Sequence, residues 1–265
     1  MAAWTSSELA EVFRRLVEAG VDFVVVGGQA VNLWSQHYRV AGAESEAAWR
    51  ELEPFTSRDL DCLGGSTDVA QAARAFGVEA VFYDPFSRVP APNSGTLTVP
   101  VGERELLIHF LHSIYGANRD EVRRTAQSFP VAEKKLLVMH PLICLESKVD
   151  CLLGLDQCGR QDLKHVKLGC LITHAFLSAR VPTTTAREIL DAVERIVRLA
   201  TSDAGLRVWL RHGVECESAL PIDAIKAASE HQPKFANFLE RRWPRFLEEL
   251  ARDRERYHEI FSRRT

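Results

Sequence analysis

Asp59 and Asp61 stand two residues apart in Phe55-Thr-Ser-Arg-Asp-Leu-Asp-Cys-Leu-Gly64. Side chains alternate between faces along an extended chain, so a strand here turns both carboxylates one way and sends Leu60 and Cys62 into a core. With Cα atoms about 6.5–7 Å apart at the usual strand rise, two carboxylates aimed alike make a platform for a hard divalent cation. A bare Asp-x-Asp is also an ordinary solvated strand end, so the neighbours of this pair decide what it means.

Upstream, Val21-Asp-Phe-Val-Val-Val-Gly27-Gly28-Gln-Ala-Val-Asn-Leu-Trp34 reads as a short buried strand of β-branched residues, a tight Gly-Gly turn, and a helix opening at Gln29 or Ala30. Glycines let backbone approach a ligand closely, and the free N–H groups at a helix start favour an anion. The same glycines also serve close helix–strand packing. Downstream, Glu105-Leu-Leu-Ile-His109-Phe-Leu-His112 alternates as a strand. Leu107, His109 and Leu111 share one face and Ile108, Phe110 and His112 the other, so the two histidines cannot hold one metal together. Glu105 shares the face of His109 but lies roughly 13 Å away along the strand.

The strand-Gly-Gly-helix followed by a Thr-x-Arg-Asp-Leu-Asp strand resembles the DNA polymerase β-like nucleotidyltransferase superfamily. Within it, the pattern is similar to the minimal bacterial branch that includes the abortive-infection and type IV toxin–antitoxin enzymes. The resemblance runs from the amino terminus to about His165. It implies an α+β fold, a nucleotidyltransferase-like mixed sheet flanked by helices and followed by a helical carboxy-terminal region. It also implies transfer of a nucleoside monophosphate from a nucleoside triphosphate with Mg²⁺ or Mn²⁺. Asp59 and Asp61 then carry the metal, and Gly27, Gly28, Gln29 and Arg58 lie against the nucleotide. The chain departs from the pattern at Gln29, where a serine or another small residue is usual, and in a longer connection from Val40 to Pro54. The third carboxylate of the family falls at His109. As a neutral imidazole, His109 suits metal ligation or proton acceptance near neutral pH; it suits equally a half-buried residue of a site that has lost part of its chemistry.

His140-Pro-Leu-Ile-Cys-Leu-Glu-Ser-Lys148-Val-Asp-Cys-Leu-Leu-Gly154 has a proline at its first helical position and a glycine stop. Its apolar stripe of Leu142, Leu145, Val149 and Leu152 puts Lys148 at the margin. By resemblance, Lys148 reaches the phosphates and Asp162, in Arg160-Gln-Asp-Leu-Lys-His165, completes the catalytic set. A surface lysine and a helix-start aspartate stabilised by the dipole are the plainer alternatives.

These residues need a scaffold, and 265 residues with 46% hydrophobic and 26% charged side chains can bury a substantial core. Two domains are expected, 1–140 as the α/β domain and 141–265 as a helical one. The spacing predicts helices over Thr5–Ala19 and Ser66–Phe76, strands over Val78–Tyr83, Gly95–Val101 and Glu105–His112, and a proline-rich loop over Asp84–Ser94. From Pro141 onward only helices are expected, the last from Pro233 to Phe261. No apolar run reaches the ~18 residues of a membrane span, and the amino terminus lacks a signal-peptide pattern, so a cytoplasmic protein is expected. The six cysteines show no C-x-x-C spacing and read as small hydrophobes. A net charge of −3 gives no global case for nucleic acid. The tail interleaves Arg241, Arg242, Arg245, Arg252, Arg254 and Arg256 with aromatic residues, which suits RNA, but glutamates among them suit a solvated helix face. A nucleoside triphosphate is the expected partner, with RNA and a cognate antitoxin protein as further ones implied by the resemblance. A degenerate regulator that binds nucleotide or protein without catalysis is the alternative.

Overall fold

Three consecutive valines, Val24-Val25-Val26, form a buried interior strand of an α+β protein; the computed structural model describes residues 3–40, 46–83, 92–131 and 134–262. The chain divides into two compact units, Met1–Ser147 and Lys148–Thr265.

In chain order the first unit comprises β1 (Trp4–Thr5), α1 (Ala10–Glu18), β2 (Val24–Val26), α2 (Gly27–Val40), α3 (Glu46–Glu51), β3 (Thr56–Ser57), β4 (Leu60–Leu63) and α4 (Ser66–Phe76). It continues with β5 (Ala80–Phe82), β6 (Asn93–Val101), β7 (Arg104–Leu111), α5 (Arg119–Thr125), β8 (Gln127–Val131), β9 (Lys134–Val138) and the start of α6 (Pro141–Gly154). Seven strands make one mixed sheet in the order β5-β6-β7-β4-β2-β9-β8. β4 runs parallel to β7 and β2 parallel to β9, and the remaining neighbours are antiparallel.

Register places the site. Asp61 pairs with Val26 on one side and His109 on the other, and His109 pairs in turn with Thr96. Paired residues share a face, so Asp61 and His109 leave the sheet together. The alternate row, Val25, Cys62, Phe110 and Gly95, lies on the other face. There α4 covers it: a Cβ on Gly95 would come within 2.8 Å of Val69 Cγ1 on that helix. Cys62 and Phe110 are fully buried, as alternation requires.

Some boundaries differ from the sequence pattern. The first helix begins at Ala10 rather than Thr5, because Trp4 and Thr5 pair antiparallel with Ser57 and Thr56. Thr5 and Glu8 bond reciprocally across the turn before the helix, Glu8 N donating to Thr5 Oγ1 and Thr5 N to Glu8 Oε2, while the N-cap position itself is Leu9, which makes no side-chain cap bond. Helix α2 starts at Gly27 itself, earlier than Gln29. The β8–β9 hairpin and α5 carry no expectation from sequence, since Lys134 and Lys135 open β9 without an apolar alternation. Pro130 is tolerated in β8 because that strand lies at the sheet edge.

The second unit is helical: the end of α6, α7 (Asp162–Arg180), α8 (Ala186–Thr201), α9 (Asp203–His212), a 3₁₀ turn (Cys216–Ala219), α10 (Ile222–Ser229), α11 (Pro233–Asn237) and α12 (Trp243–Ser262). Helix α7 is its core, burying Val166, Leu168, Cys170, Ile172 and Phe176. A capping box between Thr185 and Glu188 starts α8, whose Ile189, Val193 and Ile196 form a buried stripe. The single long helix expected from Pro233 is interrupted by a π turn at Phe238–Arg242, an insertion that rotates the residues after it. On α12, Phe246 and Leu250 are buried and Arg254 stacks over Trp209, 4.9 Å from the ring centre. Arg241, Arg245, Arg252 and Arg256 are exposed alongside Glu248, Glu249, Glu255 and Glu259, a mixed-charge solvated surface.

Candidate functional site

Gly27 ends β2 and opens α2 with φ +63°, a conformation that costs a side chain dearly. A second constraint acts on the same atom. A Cβ there would run into Asp61 Oδ2, so the carboxylate sits directly against the turn. The turn and the first carboxylate therefore form one feature, brought together by the Val26–Asp61 register. Gly27→Ala is expected to destabilise the fold by about 1–2 kcal/mol for the left-handed backbone alone, and by more once Asp61 is displaced. Chemical denaturation measures this; an unchanged midpoint would show that Asp61 does not press on the turn.

Gly28 is buried in the first turn of α2. Gln29, expected among the nucleotide-binding residues, has its side chain committed elsewhere. It is fully buried, its Nε2 donating to Trp4 O at 3.1 Å and its Oε1 accepting from Ser6 Oγ at 3.4 Å. The larger residue thus ties α2 to β1, a use that the spacing of the motif does not disclose.

Asp59 does not lie within a strand. Arg58 and Asp59 form a bend between β3 and β4, so strict alternation with Asp61 is broken at that point. Ser57 Oγ donates to Asp59 Oδ1 at 3.3 Å, and His109 Nε2 lies 3.8 Å from Asp59 Oδ2. Asp59 and His109 keep 39% and 21% of their side-chain surface, so the gap between them is reachable from solvent. His109 Nδ1 is buried and has no hydrogen-bond partner among the described residues. Arg58 is exposed.

The donors here are two carboxylates and an imidazole. Hard divalent ions such as Mg²⁺ are often held by one or two carboxylates with the rest of the shell from water and substrate phosphate, and Asp59 and Asp61 fit that role. Among the described residues no group of three or more His, Cys, Asp and Glu side chains is gathered to hold a metal. The cysteines take no part: all six are free thiols, and Cys62 is pushed up by burial and by Asp61.

Lys148 and Asp162 are brought to each other. Lys148 Nζ donates to Asp162 Oδ1 at 2.9 Å and Arg160 Nε to Asp162 Oδ2 at 2.5 Å. The expected place of Lys148 at the margin of an apolar stripe is corrected: α6 is buried on most sides, and Lys148 is only 7% exposed. Burial favours the neutral carboxyl of Asp162, but the Arg160 hydrogen bond and the Lys148 charge outweigh it and hold the group below its ordinary range. One turn further on, His165 is buried with neither ring nitrogen hydrogen-bonded among the described residues. His165 carries no motif signal of its own in the sequence.

Burial first, and the Lys148 charge second, push the His165 ring down from 6.5 to about 3. Above the ordinary value the ring is neutral folded or unfolded, and it has no effect on stability. Below it the unfolded chain takes a proton that the folded chain refuses, so stability falls with pH by up to about 1.4 kcal/mol per unit. This loss spans pH 6.5 down to about 3. His165→Leu is expected to flatten the slope in denaturation curves taken from pH 7 to 4.5; an unaltered slope would mean that other groups set it.

The proline-rich stretch Asp84–Ser94 enters the described residues only at its end, and 84–91 lie outside them. Among the described residues no helix is long and apolar enough to cross a membrane. No protein-family model and no curated protein matches this chain.

Proposed function

We propose that the chain is a metal-dependent nucleotidyltransferase of the DNA polymerase β-like kind, moving a nucleoside monophosphate from a nucleoside triphosphate to an acceptor and releasing pyrophosphate. One observation carries this: the Asp61 carboxylate rests against the Gly27 turn that opens α2, with His109 paired to it on the neighbouring strand and Asp59 in the bend just before β4. An anion-binding helix start and a carboxylate platform are thereby adjacent, which is what a metal–triphosphate complex needs from a protein.

The backbone N–H groups after Gly27 are the donors to the phosphate oxygens, and the close turn lets them approach. Asp59 and Asp61 are the residues to hold Mg²⁺ or Mn²⁺, which when bound stabilises charge on the transferred phosphoryl group. Arg58, exposed next to Asp59, is free to swing onto the nucleotide. These residues all belong to the first unit. The acceptor class is RNA, protein or small molecule, and a toxin role with a cognate antitoxin follows from the branch that the motifs resemble.

A second reading has its own support. His109 stands where a third carboxylate is expected, which suits a member that binds nucleotide without transferring it. Incubation with each labelled nucleoside triphosphate and a divalent ion in cell lysate, followed by separate recovery of RNA and protein, tells the two apart. Label in either fraction supports the transferase; nucleotide bound without label in any acceptor supports the regulator.

A further inference from the structure

β5 closes one end of the seven-stranded sheet and β8 the other. The β8 edge carries Pro130, which has no N–H to offer an incoming strand. β5 has no such guard: Ala80-Val81-Phe82 holds neither proline nor charge, and its register with β6 runs unbroken from Ala80–Leu97 to Phe82–Gly95. One step further along that register, Tyr83 N donates to Ser94 O. Bonded and unbonded positions alternate in an antiparallel pair, so Val81 and Tyr83 turn their backbone groups to β6, while the N–H and C=O of Ala80 and Phe82 point out of the sheet. Val81, Phe82 and Tyr83 are 60%, 53% and 39% exposed. The other exposed large apolar residues described, Tyr115, Leu247 and Ile260, stand singly, which is ordinary for a protein surface. Three in a row along an unpaired strand edge are not ordinary.

We propose that β5 pairs antiparallel with β5 of a second copy of this chain, about a two-fold axis through Val81, joining the two sheets into one. The strand is complementary to itself in this register. Ala80 falls opposite Phe82 of the second copy, and both carry outward backbone groups, so the two such pairs exchange N–H···O=C bonds in both directions. On one face the large Phe82 lies beside the small Ala80 of the other copy. On the opposite face the two Val81 side chains meet at the axis. There Glu79, which precedes the strand on the same alternation as Val81, comes opposite Tyr83 of the second copy, whose hydroxyl can donate to the carboxylate. Within this span no like charges are opposed. A strand of another protein would have to supply this matching, whereas a second copy has it by symmetry. The row Val81, Thr96, His109 and Asp61 shares one face, so both copies would present that row on the same side of the joined sheet.

Sedimentation velocity on the full chain, from about 1 to about 200 μM, reads the pairing. Wild type is expected to move from the 29.7 kDa of one chain toward twice that mass as concentration rises. Val81→Lys and Val81→Glu each set like charges against each other at the axis, and each alone should weaken the dimer at least about tenfold. Mixed in equal amounts they should recover it, because lysine then meets glutamate, and recovery also shows that both variants are folded. In wild type the Ala80 and Phe82 amides, followed by nuclear magnetic resonance, should exchange with deuterium more slowly at the high concentration than at the low one. A wild type that stays monomeric throughout overturns the inference, whatever else binds the edge. So does a dimer that Val81→Lys leaves unchanged, a mixture of the two variants that does not pair, or Ala80 and Phe82 amides that dimer formation leaves unaffected. None of these results bears on nucleotide transfer, which is read separately.

Discussion

Asp59→Asn and Asp61→Asn are each expected to lower nucleotidyl transfer by about a thousandfold, the loss that follows when several kcal/mol of charge stabilisation are withdrawn from a phosphoryl-transfer step. Asparagine keeps the shape of the side chain and removes its charge, so Asp61→Asn still fits against Gly27 and Asp59→Asn still accepts from Ser57. Neither side chain is core packing, and stability should stay within about 1 kcal/mol of wild type. Transfer measured by label incorporation, next to denaturation of the same samples, separates the two effects. A variant that folds and keeps near wild-type transfer would remove that residue from the platform.

Lys148→Ala is expected to act first on stability, by about 3 kcal/mol, because it breaks a buried ion pair from one side. Asp162, 2% exposed, would be left with Arg160 as its charged partner, and Arg160 is itself 40% exposed. The lower part of the usual range applies for that reason. Replacing both partners, Lys148→Met with Asp162→Leu, should recover much of the loss, since no charge is then stranded. Denaturation midpoints of the three proteins give the result. A Lys148→Ala protein as stable as wild type would show that the pair contributes nothing to the fold. Any kinetic effect of Lys148→Ala needs reading with this in mind, and a charge-preserving Lys148→Arg is the better probe of phosphate contact.

The parts of the site that sequence disclosed are those with a local signal. Three valines, two glycines and a helix start are contiguous, and the Asp-Leu-Asp-Cys alternation fixes Asp61 on one face and Cys62 on the other. The strand carrying His109 was legible from its own alternation, and its pairing with β4 follows once both strands enter one sheet. What stayed hidden depends on partners distant in sequence. Gln29 looks like a helix-start polar residue, and only the approach of Trp4 and Ser6 makes it a buried strut. Lys148 looks marginal on its own helix, and only Asp162, beyond a glycine stop and an intervening loop, shows why it is buried. The two-residue pairing of β1 with β3 has no periodicity to read, so the sequence pattern runs the first helix back to Thr5, five residues before it begins at Ala10. An Asp-x-Asp invites alternation and so predicts a strand at Asp59, whereas the chain bends at Arg58 and Asp59 before β4 begins.

The central claim is that the Gly27 turn, Asp59 and Asp61 form one site for a metal–triphosphate complex. Calorimetric binding of a non-hydrolysable nucleoside triphosphate, with a divalent ion and with chelator, tests it most directly. Wild type should bind in the presence of the ion and lose at least about tenfold in affinity with chelator, and Asp59→Asn and Asp61→Asn should each reproduce that loss with the ion present. Equal binding by wild type and both variants, whether or not the ion is there, would contradict the account.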